Sequence, residues 1–160
     1  MELNRRQFLT LTALASMIAA ADLTSIAVVA AESKEDKVVR IAKTFVGQDY
    51  NGYCLSLCNK VYADAGYPFK KYDNPVKAIA AMRSKLQGKS KKGCLMFWGT
   101  GLSKDGHAAI FLDDDKVLTS YTYYGRWNSS KKVSIVSHNT IKSTLPDFKG
   151  YLHIGDAISF

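Results

Sequence analysis

The chain has 160 residues, 47% of them hydrophobic, and a formal net charge of +8. That is one domain's length with enough apolar residues for a core, which excludes an intrinsically disordered chain and makes a single domain the expectation. The lysines are spread along the sequence apart from KSKKG at 89–93, and no nucleic-acid motif accompanies them. The basic excess therefore points to anionic polymers more than to nucleic acid, with plain solubility as the bland reading.

The first 31 residues read as an export signal. A short polar start with Arg5 and Arg6 leads into a mildly apolar run rich in Ala, Leu and Thr, and then into small residues. Val29 and Ala31 stand where a signal peptidase expects small side chains, so cleavage is expected after Ala31. The stretch NRRQFL, with Phe8 and Leu9 after the arginine pair, resembles the twin-arginine motif, which implies export of a folded protein. The alternative is a retained membrane anchor over 8–31; Asp22 in mid-run opposes it, because a carboxylate in lipid is costly. Cleavage removes two basic and two acidic residues, so the mature chain over 32–160 keeps its excess of +8.

In the mature part, SKEDKVVRIAKTFVG begins with Ser33 as a helix cap and acidic residues in the first turn. Val38, Ile41, Ala42 and Phe45 share one face, and the helix is expected to end at Gly47. A second helix starts at Cys54 in CLSLCNKVYADAG, with Leu57, Val61 and Ala65 four apart and Gly66 at its end. A third is expected in DNPVKAIAAMRSKLQG, with Asn74 as cap, Pro75 at the first helical position, and Ile79, Met82 and Leu86 as its apolar stripe.

From Gly93 the pattern turns strand-like. CLMFW, HAAIFL, KVLTSYTYY and KKVSIV are short β-branched or aromatic runs, separated by GTGLSKDG, DDD and GRWNSS, and GYLHIG reads as a final strand. The triplet at 113–115 supplies tight-turn residues. Helices first and an antiparallel sheet afterwards make an α+β domain over 32–160, without repeats or linkers.

Chemistry gathers on one cysteine and one histidine. Cys54 opens a helix, where the dipole and unsatisfied N–H groups are expected to lower a thiol's pKa and to stabilise an oxyanion. Cys58 lies one turn deeper between Leu57 and Val61, where burial favours the neutral thiol. Of three histidines, His107 begins the strand HAAIFL directly after a loop, so its ring can face a cleft as general base. His138 in SHNT suits turn or cap chemistry, and His153, alternating with Leu152 and Ile154, suits solvent or sheet support.

The ordered series GYCLSLCNKVYADAG, KKGCLMFWG and DGHAAIFLDDDKVLTS resembles the NlpC-type and CHAP cell-wall hydrolases, small papain-like cysteine enzymes. The resemblance covers residues 45–122, with weaker echoes to 155. It implies a papain-like α+β fold, Cys54 as nucleophile, His107 as base, and cleavage of peptide or amide bonds in peptidoglycan. The family's third catalytic position falls on Thr119, whose hydroxyl can hold the ring but adds no charge to stabilise imidazolium. Tyr50 corresponds to a tyrosine that can donate to the oxyanion, or else packs. The sequence departs from the commonest family pattern in having Tyr53 before the cysteine and Leu55-Ser56 after it. With Thr119 in the third place, either the triad is weakened, or another group orients His107, or the site is inactive and the protein binds the wall without cutting it.

In an oxidising compartment three cysteines suggest one bridge and one free thiol. If the second helix packs on the sheet as the resemblance implies, Cys58 with Cys94 is the pair, set against both remaining reduced. A zinc site from Cys54, Cys58, Cys94 and His107 is the rival reading, weakened by the three-residue gap within one helix. The expected partner is peptidoglycan or an anionic wall polymer, in the periplasm or cell wall. A monomer with no cofactor and no membrane insertion after cleavage completes the reading.

Overall fold

Ser33 accepts the backbone N–H of Asp36 and starts the first helix, as its sequence demands. In this computed structural model residues 31–101, 103–120 and 132–158 are described, and the chain divides into the units Met1–Ala31 and Glu32–Phe160. The expected signal segment lies outside the described residues, as does the stretch 121–124 of the third strand run.

Helix α1 spans Lys34–Lys43 and buries Val38, Val39 and Ala42. It stops four residues before Gly47, because Thr44 turns back to bond Ile41 and the Gly47 N–H is taken by the Val133 carbonyl at 2.8 Å. Helix α2, Cys54–Asp64, buries Leu55, Leu57, Cys58, Val61 and Tyr62, and ends at Gly66 with φ of +85°. Helix α3, Pro75–Met82, is capped by Asn74, whose side chain accepts the Lys77 N–H. It gives way to a 3-10 turn at Arg83–Lys85, short of the expected end, because Gln87 exchanges backbone hydrogen bonds with Tyr151 at the sheet edge.

Among the described residues five antiparallel strands follow: β1 Leu95–Trp98, β2 His107–Asp113, β3 Lys116–Thr119, β4 Ser134–Ser137 and β5 Phe148–Leu152, in spatial order β4-β3-β2-β1-β5. The β2–β3 turn uses left-handed Asp114 and Asp115, as the acidic triplet suggested. Two short helices were not expected, α4 over His138–Thr144 and α5 over Ile154–Ile158. Strand alternation divides the core. Leu95, Phe97, Ala108, Ile110 and Leu118 meet α1 and α2 on one face, whereas Cys94, Met96, Trp98, Ala109 and Val117 meet Ile141 and Leu145 on the other. Layers on both faces explain why β1 is buried along its whole length. Among the described residues no helix is long and apolar enough to cross a membrane.

Candidate active site

The start of α2 meets the start of β2. Cys54 is the first residue of α2 and half-buried, and the backbone N–H groups of Ala108, Leu55 and Cys54 itself favour its thiolate. Ala108 directly follows His107, the first residue of β2, so nucleophile candidate and base candidate converge at one end of the sheet. The N-cap position is Tyr53, whose side chain caps nothing and stands 68% exposed, leaving the first N–H groups of α2 to the site.

His107 is buried, with its Nε2 2.9 Å from Thr119 Oγ1. Thr119 ends β3, is fully buried, and its hydroxyl lies 3.2 Å from the Ser120 carbonyl, to which it donates. A hydroxyl has one hydrogen, so Thr119 accepts the Nε2–H of His107, and Nδ1 is the basic nitrogen of the ring. Trp98, opposite His107 in the register, lays its indole 5.6 Å from the imidazole at 45°.

Burial sets the protonation of the pair. It drives His107 down to about 3, through the loss of water around an imidazolium. It also raises the Cys54 thiol, outweighing the nearby backbone N–H groups, and the carboxylate of Asp105 pushes the same way. The helix start was expected to lower this pKa; instead desolvation wins, and the resting pair is a neutral thiol beside a neutral imidazole. Alkylation of Cys54 by iodoacetamide should accordingly rise only above the ordinary thiol range. A rate plateau with an apparent pKa below 7 would contradict a neutral pair.

The other expectations resolve on geometry. Tyr50 is half-buried and packs edge-on against Phe45, with centroids 5.9 Å apart, so its described contacts are those of a core residue. Cys58 and Cys94 do not pair: all three cysteines are free thiols, and Cys94 faces the α4 side of the sheet while Cys58, within α2, packs on the other face. The same division disperses the four zinc-ligand candidates, and among the described residues no group of three or more metal-ligating side chains forms. Burial pushes the Cys94 thiol up to about 12 and Cys58 well above its usual value. His138 opens α4 and bonds the Tyr151 hydroxyl at 2.7 Å, on the α4 side of the sheet; His153 bonds the Lys89 carbonyl. Sequence reasoning missed Trp98 and Asp105. The signal for Trp98 was its place at the end of the strand that pairs with the histidine's; Asp105 read only as part of a turn.

A cysteine opening a helix that packs on an antiparallel sheet, with histidine on a central strand, defines a papain-like α+β domain. The pattern of the NlpC/P60 family matches residues 44–144, and the chain belongs to that family. An NlpC/P60 family protein from Bacillus cereus has a similar structure, with TM-score 0.54 and 19% identity over 75% of this chain. The aligned part spans 40% of that protein's length. The NlpC/P60 domain of the peptidoglycan hydrolase SagA aligns with TM-score 0.48 and 18% identity, over 74% of this chain and 97% of that domain. No curated protein matches the chain.

Proposed function

We propose that the protein is an exported cysteine hydrolase that cleaves peptide or amide bonds of peptidoglycan, with Cys54 as nucleophile and His107 as base. The observation that carries this reading is the placing of Cys54 at the start of α2 within the influence of the Ala108 N–H, next in the chain to a buried histidine whose Nε2 lies 2.9 Å from Thr119 Oγ1. Family membership supports the substrate class, and the sequence of residues 1–31 supports export with cleavage after Ala31. The basic excess of +8 suits retention on an anionic wall, in the periplasm or outside the cell.

The steps follow from the neutral pair. Cys54 Sγ attacks the amide carbon as its proton passes to Nδ1 of His107, and the carbonyl oxygen becomes an oxyanion facing the N–H groups at the start of α2. As the C–N bond breaks, His107 returns that proton to the leaving amine, and a thioester remains on Cys54. Water then attacks the thioester, giving its proton to His107, which passes it back to the departing sulfur. The product acid leaves and the thiol is restored.

Imidazolium forms twice in this cycle, in a buried place that disfavours it and with the neutral Thr119 hydroxyl at Nε2. That observation favours a second reading, a slow or inactive wall-binding protein that keeps the fold. Purified peptidoglycan incubated with the mature chain discriminates the two: new free amines, identified by mass spectrometry, support the hydrolase, and intact peptidoglycan at high enzyme supports the binder.

Thr119 is the positioning residue in this scheme. Thr119→Val keeps the volume but leaves a buried imidazole N–H without its acceptor, which costs ~1–3 kcal/mol and should lower kcat/KM by roughly 5- to 150-fold. An unchanged kcat/KM in a folded variant would remove Thr119 from the machinery.

A further inference from the structure

His107 has an aromatic neighbour as well as a hydroxyl one. Trp98 ends β1 directly opposite His107, which begins β2, and the two ring centroids lie 5.6 Å apart at 45°. A cation within about 6 Å of an indole ring is attracted by its electrons, most strongly where water is excluded. Both side chains are buried, so a charged ring at 107 would meet that condition.

The indole is aimed and held by its surroundings. The pairing of β1 with β5 shifts between Phe97 and Trp98, so that Phe97 opposes Gly150 and Trp98 opposes Phe148. Such an irregularity re-aims the side chain that it carries. Phe148 packs edge-on against the indole, with centroids 5.2 Å apart at 61°. Just after Trp98, the Gly99 N–H donates to the Asp147 carbonyl at 3.0 Å. Gly106, with φ of +74°, lets the loop before His107 close on β1, since a Cβ there would fall 2.6 Å from the Trp98 carbonyl.

Packing alone does not account for an indole in this place. Trp98 Nε1 is buried, and its hydrogen meets no acceptor among the described residues. A buried donor left unpaired costs about 1–3 kcal/mol, which a phenylalanine would not incur. Beyond that N–H, indole differs from phenyl in being the better partner for a cation. The partner of His107 Nε2, the Thr119 hydroxyl, supplies no charge of its own.

We propose that Trp98 is a positioning residue of the His107 site, whose indole stabilises the imidazolium formed when the ring takes the proton of Cys54. This rests on the hydrolase reading and deepens it. The charge appears when the proton leaves Sγ for Nδ1 and disappears when Nδ1 gives it to the leaving amine. The indole therefore favours the charged stage of the cycle over the resting one, and its effect belongs in kcat and not in KM.

Fluorination tests this without changing the packing, because each fluorine withdraws electrons from the ring while its shape is nearly kept. The chain has two tryptophans. In a Trp127→Phe background, the full chain is prepared with tryptophan, 5-fluoro-, 5,6-difluoro- and 4,5,6,7-tetrafluorotryptophan at position 98. Release of amines from peptidoglycan fragments should fall stepwise in kcat, by about tenfold over the series, with KM and the urea midpoint unchanged. A kcat that is flat across the series, or that follows the urea midpoint instead of the fluorine count, overturns the proposal. Trp98→Phe should keep more of the rate than Trp98→Leu; equal rates in the two folded variants overturn it as well. If the unfluorinated protein releases no amines, the hydrolase reading fails, and alkylation of Cys54 by iodoacetamide at pH 7 decides for Trp98. In that reaction Sγ displaces iodide while its proton passes to His107, so the rate should fall with fluorination, and a flat rate overturns the proposal.

Discussion

Cys54→Ala should abolish release of amines from peptidoglycan, lowering kcat/KM by at least ~10³-fold, because the proposed acyl intermediate forms on the sulfur it removes. The substitution removes one half-buried sulfur at a helix start, so the fold should survive and the loss should lie in kcat. Cys58→Ala and Cys94→Ala are the matched controls. Both thiols are fully buried and are held neutral by burial, on opposite faces of the sheet. Each replacement should cost about 1–2 kcal/mol of stability and leave turnover in place. A Cys54→Ala protein that still releases amines would exclude Cys54 as the nucleophile.

Acid should destabilise the domain through His107. The folded ring is held neutral down to about 3, whereas the unfolded ring takes a proton at the ordinary value of 6.5. Between those values the unfolded chain binds more protons, so stability falls as pH falls, by about 1.4 kcal/mol per pH unit. Burial lowers His138 as well, and its contribution runs in the same direction. Urea unfolding at pH 6.5 and 4.5 should therefore differ by ~2–3 kcal/mol from His107 alone, and His107→Asn should flatten the dependence by about that amount. Parallel pH profiles for the two proteins would show that His107 is not buried as a neutral ring.

The elements that carry the site were legible because each has a strong local signal. The start of α2 follows from apolar spacing that begins at Cys54 and a glycine that ends it, and the β2 start follows from a turn sequence before His107. The order of helices and strands then fixed the α+β class. What the sequence hid is tertiary. Helix α4, HNTIKST, buries only Ile141 and is rich in polar and β-branched residues; it forms because Ser137 caps it and the Asp115 carboxylate bonds Ser137 and Asn139 from the neighbouring turn. The side of the sheet that Cys94 faces depends on strand register, which a short apolar run does not reveal, and so the expected bridge to Cys58 failed. The direction of the Cys54 shift was missed for a related reason. A helix N-terminus is visible in a sequence, whereas the burial that outweighs it comes from the packing of α2 on the sheet.

Thr119 was the point of greatest tension, since a neutral hydroxyl stands where the family pattern has more strongly polar groups. Its hydroxyl passes a hydrogen to the Ser120 carbonyl and accepts from His107, which fixes the ring and its tautomer without a charge. The arrangement suits a base that is neutral at rest, and it limits how well imidazolium can be stabilised during the reaction.

The most direct test is to mix the mature protein with soluble peptidoglycan fragments, quench in acid within the first turnovers, and map the modified peptide by mass spectrometry. The account predicts a thioester on the peptide that contains Cys54, heavier by the acyl fragment and cleared by hydroxylamine. Release of fragments with Cys54 unmodified throughout, and undiminished in Cys54→Ala, would contradict it.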